Sequence, residues 1–286
     1  MKKISIIAVA VALLVLASTA LADPIKEEAK DSKKLDKVLL KNGYPEEVIS
    51  WLPLGAKEDL VANDAKYAYH VSRKANLTDE GGKASPKGSS DSGDISTMSL
   101  TNFTESMVWS TTTAPADAVK YFVTYRWDWN YLPGWTLTDQ VAMAWGGGWA
   151  IDTTEPNYFL WQYNPYTVHC PSTGGCTTYM ESFSGTNSSS DTPNAGASFP
   201  VALKNSITVA GRSWGVTGHS GWARVRVVRG KQSTTTYDNF KGQYFHSQYG
   251  CNVALGFSYP ASINVVSCGL SSESSPGVLK TIVTQP

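Results

Sequence analysis

Asp128 and Asp139 are the acidic side chains whose placement most invites a chemical reading. Glycoside cleavage needs two carboxyl groups about 5–9 Å apart, one to protonate the leaving oxygen and one to attack or to activate water. The two aspartates stand in consecutive alternating stretches, and Asp152, Glu155 and Glu181 follow. Asp139 falls on the apolar face of its stretch, where an unpaired carboxylate has a raised pKa. The plainer account of these acids is a strand-end aspartate bonded to backbone or paired with an arginine. Asp152 and Glu155 with loop carbonyls have the donor type for calcium, but no D-x-D-x-D-G loop accompanies them.

Two fragments resemble serine-nucleophile motifs. Gly218-His219-Ser220-Gly221-Trp222 is close to G-x-S-x-G but closes on Trp and lacks the strand-turn-helix setting of that elbow. Thr167-Val168-His169-Cys170 places a histidine 51 positions before Ser220, too few for a two-barrel protease, and Gly-Asp-Ser-Gly-Gly is absent. The four histidines (His70, His169, His219 and His246) show no ligand spacing. The expectation is therefore no metal and no cofactor. The Gly146-Gly147-Gly148 run lacks the Lys-Ser/Thr of a phosphate loop.

Tryptophan is the other chemical resource. Six of the ten lie between Tyr121 and Tyr163. Trp127, Trp129, Trp135 and Trp145 keep the phase of their stretches and are expected in a core. Trp149, beside the glycines, and Trp214 and Trp222, in Gly-rich surroundings, are expected at the surface as ligand-binding residues. Flat exposed rings would suit a sugar or a membrane interface.

These residues need strands to hold them. Tyr121, Val123, Tyr125, Trp127 and Trp129 share one face of a period-two pattern. Leu132-Pro133-Gly134-Trp135 reads as a type II turn, and Leu137, Asp139, Val141, Met143 and Trp145 share a face on the return, which together predict a hairpin, with a third strand within 151–163. Short alternating runs recur to 267: 106–112, 119–131, 135–145, 158–168, 177–183, 199–210, 222–229, 243–249, 251–259 and 262–267. That series predicts a mainly β fold, an antiparallel sandwich or jelly roll over residues 99–286. The polar segment 184–198 reads as a long loop.

Four cysteines, Cys170, Cys176, Cys251 and Cys268, allow three pairings; 170–176 and 251–268 are expected, the second across a hairpin with Val253 opposite Val266 and Leu255 opposite Asn264. Lys2-Lys3, an apolar run and Ala20-Leu21-Ala22 read as a secretory signal over residues 1–22, giving a secreted, extracellular mature chain with no transmembrane segment. Helical periodicity covers 31–63 within a small segment, 23–75. Asp31 or Ser32 caps the first helix, Gly43 ends it, Pro45 opens a second, and a short third spans 57–63. Tyr67, Tyr69 and Val71 alternate as an edge strand. LLKNGYPEEVISWLPLGAKEDL, the body of residues 35–60, resembles an N-terminal helical element of uncharacterised secreted proteins of Gram-positive bacteria. The resemblance rests on the Gly-Tyr-Pro turn and its flanking helices and implies no activity. Residues 76–98, rich in Ser, Gly, Asp and Lys, read as a linker.

Residues 23–90 carry 12 basic and 12 acidic side chains, and residues 91–286 carry 10 and 12. Near-neutrality in both parts argues against a nucleic-acid partner. The expected function is extracellular binding of a glycan or cell-surface ligand through exposed aromatics. A glycoside-type hydrolase and a membrane-active protein, in which 184–198 rearranges, are the rivals.

Overall fold

A computed structural model describes residues 24–75, 78–79, 103–130, 136–154, 157–172, 174–186, 190–192 and 194–247. It also describes 253–258, 260–267 and 272–284. The signal segment, the proposed linker apart from Thr78–Asp79, the turn at 132–135, Glu155, Cys251 and Cys268 lie outside the described residues.

The chain divides into two units, Met1–Ala62 and Asn63–Pro286. The first holds α1 (Pro24–Lys41), α2 (Glu46–Trp51) and α3 (Leu54–Ala62). Helix α1 begins upstream of Asp31 and Ser32, so neither caps it. Its end follows the expected chemistry: Gly43 takes φ 87°, and Tyr44 N donates to Leu39 O while Gly43 N donates to Leu40 O. Lys57 on α3 is buried and pairs with Asp36 on α1 at 2.7 Å.

Among the described residues every regular element of the second unit is a strand. In chain order they are β1 (Lys66–Ala75), β2 (Thr78–Asp79), β3 (Phe103–Thr111), β4 (Ala118–Trp129), β5 (Thr138–Trp145), β6 (Ala150–Ile151) and β7 (Phe159–His169). Next come β8 (Thr177–Met180), β9 (Phe183–Gly185), β10 (Ser190–Thr192), β11 (Gly196–Ala202), β12 (Ser206–Val209) and β13 (Arg212–Gly215). Last are β14 (Gly218–Gly230), β15 (Thr236–Ser247), β16 (Ala254–Ser258), β17 (Ser262–Ser267), β18 (Ser272–Ser274) and β19 (Val278–Thr284). The described chain is mainly β, 58% strand against 13% helix, and antiparallel.

One sheet runs β1-β3-β4-β14-β7-β8, with β6 on β14 and β9 on β7. The other runs β10-β11-β5-β15-β18-β2, with β19 on β15. Between them lies a core in which Tyr125, Trp127 and Trp129 from the first sheet meet Val141, Met143, Trp145 and Tyr244 from the second. The predicted faces are right; the predicted hairpin is not. β4 pairs with β3 and β14, whereas β5 pairs with β11 and β15 in the other sheet. The aromatic face of β4 and the largely aliphatic face of β5, which ends in Trp145, cover each other across the sandwich. Each aromatic ring removes roughly 150–250 Å² from water.

Glycines make room for those rings. A Cβ on Gly221 would lie 2.3 Å from Trp127 Cζ2, and one on Gly242 would lie 2.4 Å from Tyr125 Cδ2. Outside the second sheet, the β16–β17 hairpin packs Val253, Leu255, Phe257, Ile263 and Val265 over Ala142 and Phe245. Leu255 stands opposite Val265, one residue from the predicted register, an offset already set at the turn, where Ser258 stands opposite Ser262. The segment expected as a loop at 184–198 contains strand instead. β9 joins the first sheet through β7 and β10 joins the second through β11, so this Ser/Thr-rich stretch passes from one sheet to the other.

Candidate functional site

Asp128 and Asp139 are not brought together. Asp128 lies on the outer face of the first sheet, between the inward Trp127 and Trp129, and binds Arg126 Nη2 at 3.0 Å and Tyr166 OH at 3.1 Å. Asp139 lies between the sheets, fully buried. Sheet separates the two, so the paired-acid arrangement fails for them. Asp152 is engaged locally, with Lys120 Nζ at 2.7 Å and Thr154 Oγ1 at 2.5 Å. Burial pushes its carboxyl up, but Lys120 and Thr154 together outweigh that and hold it below the usual range.

The serine fragments also come apart. Ser220 sits in the body of β14 opposite Asn164, not on a strand-to-helix elbow. His169 is five residues further along β7, roughly 17 Å at strand rise.

Of the three tryptophans expected at the surface, two are buried. Trp149 is 0% exposed: the left-handed Gly147 and Gly148 turn it inward, its Nε1 donates to Asp238 Oδ2 at 3.0 Å, and the Arg229 guanidinium lies 4.9 Å from its ring. Trp222 belongs to a strand rather than a Gly-rich turn, is 4% exposed and donates to Gln162 Oε1 at 3.0 Å. Trp214, on β13, is half-buried. Its ring stacks on Tyr179 at 4.4 Å and 19°, and His169 lies 5.3 Å away. Among the described residues no tryptophan is openly exposed.

Trp214 nevertheless belongs to a coherent surface. Strands β7 and β8 end in the Cys170–Cys176 disulfide, as expected from the sequence. One face of this tip carries Tyr179 and His169 against Trp214. The opposite face carries Val168, 43% exposed, and Met180, 52% exposed. The pairings Tyr166–Met180 and Val168–Thr178 make Val168 and Met180 diagonal neighbours. The tip is thus aromatic on one side and aliphatic on the other.

A second group, missed in the sequence except for Asp139, lies inside the sandwich. Asp139 accepts from Tyr244 OH at 2.5 Å and Ser247 N at 2.9 Å, with His246 Nδ1 3.0 Å from each of its oxygens. His219 Nδ1 is 2.7 Å from Tyr163 OH, which also accepts from Lys204 N. Trp129 lies against both imidazoles, 6.1 Å from His219 and 5.2 Å from His246. Burial, then the neighbouring His246, pushes the His219 pKa down to about 3. Burial and Asp139 push the Tyr244 phenol well up. A histidine-aspartate pair is the stuff of general-base catalysis, but Asp139, His219, Tyr244 and His246 are each at most 2% exposed. No substrate reaches them, and they form an interior network. Among the described residues no three His, Cys, Asp or Glu side chains gather to hold a metal ion.

No family model matches the sequence, and no curated protein matches it. Among solved structures the chain is similar to the delta-toxin of Clostridium perfringens, at 9% identity over 64% of this chain and 84% of that one, with a TM-score of 0.29. It is also similar to a protein described as pore-forming, at 8% identity over 77% and 94% of the two chains, TM-score 0.28. A third is the membrane-inserted form of the C. perfringens NetB toxin, at 7% identity over 75% and 95%, TM-score 0.25. Overlaps of this size define neither the fold nor the activity of this chain.

Proposed function

We propose that the protein is exported and acts outside the cell by docking on a lipid–water interface through the tip of β7 and β8. The observation that carries this reading is the composition of that tip: Val168 and Met180 exposed on one face, Trp214, Tyr179 and His169 on the other, and no charged side chain among these five. Amphipathic aromatics beside aliphatic groups suit a boundary with water on one side and acyl chain on the other. A sugar platform, the leading expectation from sequence, needs open flat rings, and two of its three candidate tryptophans are buried. The half-exposed Trp214–Tyr179 stack supports a glycan as the second reading.

The experiment is co-sedimentation of the full chain with phosphatidylcholine vesicles, alongside a glycan array. Binding to vesicles that weakens tenfold or more in Met180→Asp is the expected result, since a single buried aliphatic group contributes about 1.5–3 kcal/mol and tenfold corresponds to about 1.4 kcal/mol. Glycan binding lost in Trp214→Ala, with no vesicle binding, overturns the lipid reading in favour of the sugar.

A further inference from the structure

We infer that the buried imidazoles of His219 and His246, set about the Trp129 ring, form an acid-sensitive latch between the two sheets, closed when His219 is neutral and released when it takes up a proton. The geometry rests on strand placement. His219 comes from β14 and Trp129 from β4, both in the first sheet; Asp139 comes from β5 and His246 from β15, both in the second. The Trp129 ring bridges the sheets by touching both imidazoles.

The charges in this seam do not balance for two imidazolium ions. β5 contributes Asp139, whose oxygens are engaged by His246, Tyr244 and Ser247. β15 contributes Tyr244 and His246, β7 contributes Tyr163, and β4 contributes the uncharged Trp129. Lys204, whose main-chain amide meets Tyr163, is also positive, with its ammonium 5.1 Å from the Phe183 ring, and the other buried carboxylate of the core, Glu105, is engaged by Tyr125 and Ser275 instead. One carboxylate can offset one imidazolium. A proton on His219 therefore leaves a buried cation without a counter-charge, and Nε2 of His219 has no hydrogen-bond partner. Uncompensated buried charge is strongly destabilising.

The sign follows from the two states. His219 has an ordinary value of 6.5 when unfolded and about 3 when folded. The unfolded chain binds the extra proton between those values, so this contribution to stability is full above 6.5 and is lost as pH falls toward 3. For one group the folding constant falls about tenfold per pH unit, or roughly a hundredfold between pH 7.5 and 4.5.

The test is urea unfolding of the full chain at pH 7.5 and 4.5, for the native sequence and for His219→Gln, which keeps a hydrogen-bonding group toward Tyr163 but cannot titrate. The native chain is expected to lose about a hundredfold more in folding constant than the variant over this interval. Equal losses overturn the latch. Should His219→Gln not fold, imidazole carbon shifts of the native chain followed by NMR decide the matter. A His219 ring that stays neutral until the sandwich opens supports the latch, and one that titrates near 6.5 in the folded state overturns it.

Discussion

Asp139 was visible in the sequence because it breaks the phase of an apolar face. Its partners were not, since Tyr244, His246 and Ser247 stand 105 to 108 residues away. The same test of phase singles out His246 as a buried polar group, though not its pairing with Asp139, and it singles out Glu105 and His219 as well. Glu105 alternates with Met107 and Trp109, His219 with Ala223 and Val225, and His246 with Tyr244, each a polar group on an inward face. Asp139→Ala removes the acceptor of a phenol, an imidazole and a backbone amide at once. Loss of a buried charged partner costs about 3–5 kcal/mol, so the urea midpoint should fall by that equivalent at neutral pH.

Elements were legible where period two is strong, as in β4, β5, β7 and β14. Their partners were not, because alternation fixes which face is buried and says nothing of which neighbour supplies the ladder. β4 and β5 look like a hairpin locally and become opposite walls of one core. β19 escaped notice because Val278, Ile282 and Thr284 alternate inward with the exposed Leu279 and Val283, blurring the apolar signal. Strand glycines offer a sharp check on the packing. Gly221→Ala would set a Cβ 2.3 Å from Trp127 and 2.6 Å from the Gln162 carbonyl. Overpacking of that kind costs typically 1–3 kcal/mol, whereas Gly215→Ala, with no atom within 4 Å, should leave the urea midpoint within about 0.5 kcal/mol of the native value.

At the scale of the molecule, the fold class followed from a long series of alternating stretches without helical period, and the near-neutral charge narrowed the partners. Which aromatic groups reach solvent did not follow, because burial depends on how the second sheet and its covering hairpin close. Equal numbers of basic and acidic side chains and a tip without charge at its five defining residues bear on the proposed docking. Apolar contact is not screened by ions as charge attraction is. Vesicle binding should therefore hold within about threefold between 50 and 500 mM salt, measured by co-sedimentation. A steep fall with salt would shift the contact to a basic surface elsewhere.

The reach of the Asp139 network has a consequence for how the chain assembles. A carboxylate on β5 cannot leave water until its donors on β15 arrive, about a hundred residues later in the chain. The aromatic wall of β4 thus has no completed opposite wall while the chain is short. Contacts of such sequence separation fold slowly. The core of this sandwich is sealed from its far end, with the C-terminal half setting the time at which the N-terminal strands become interior.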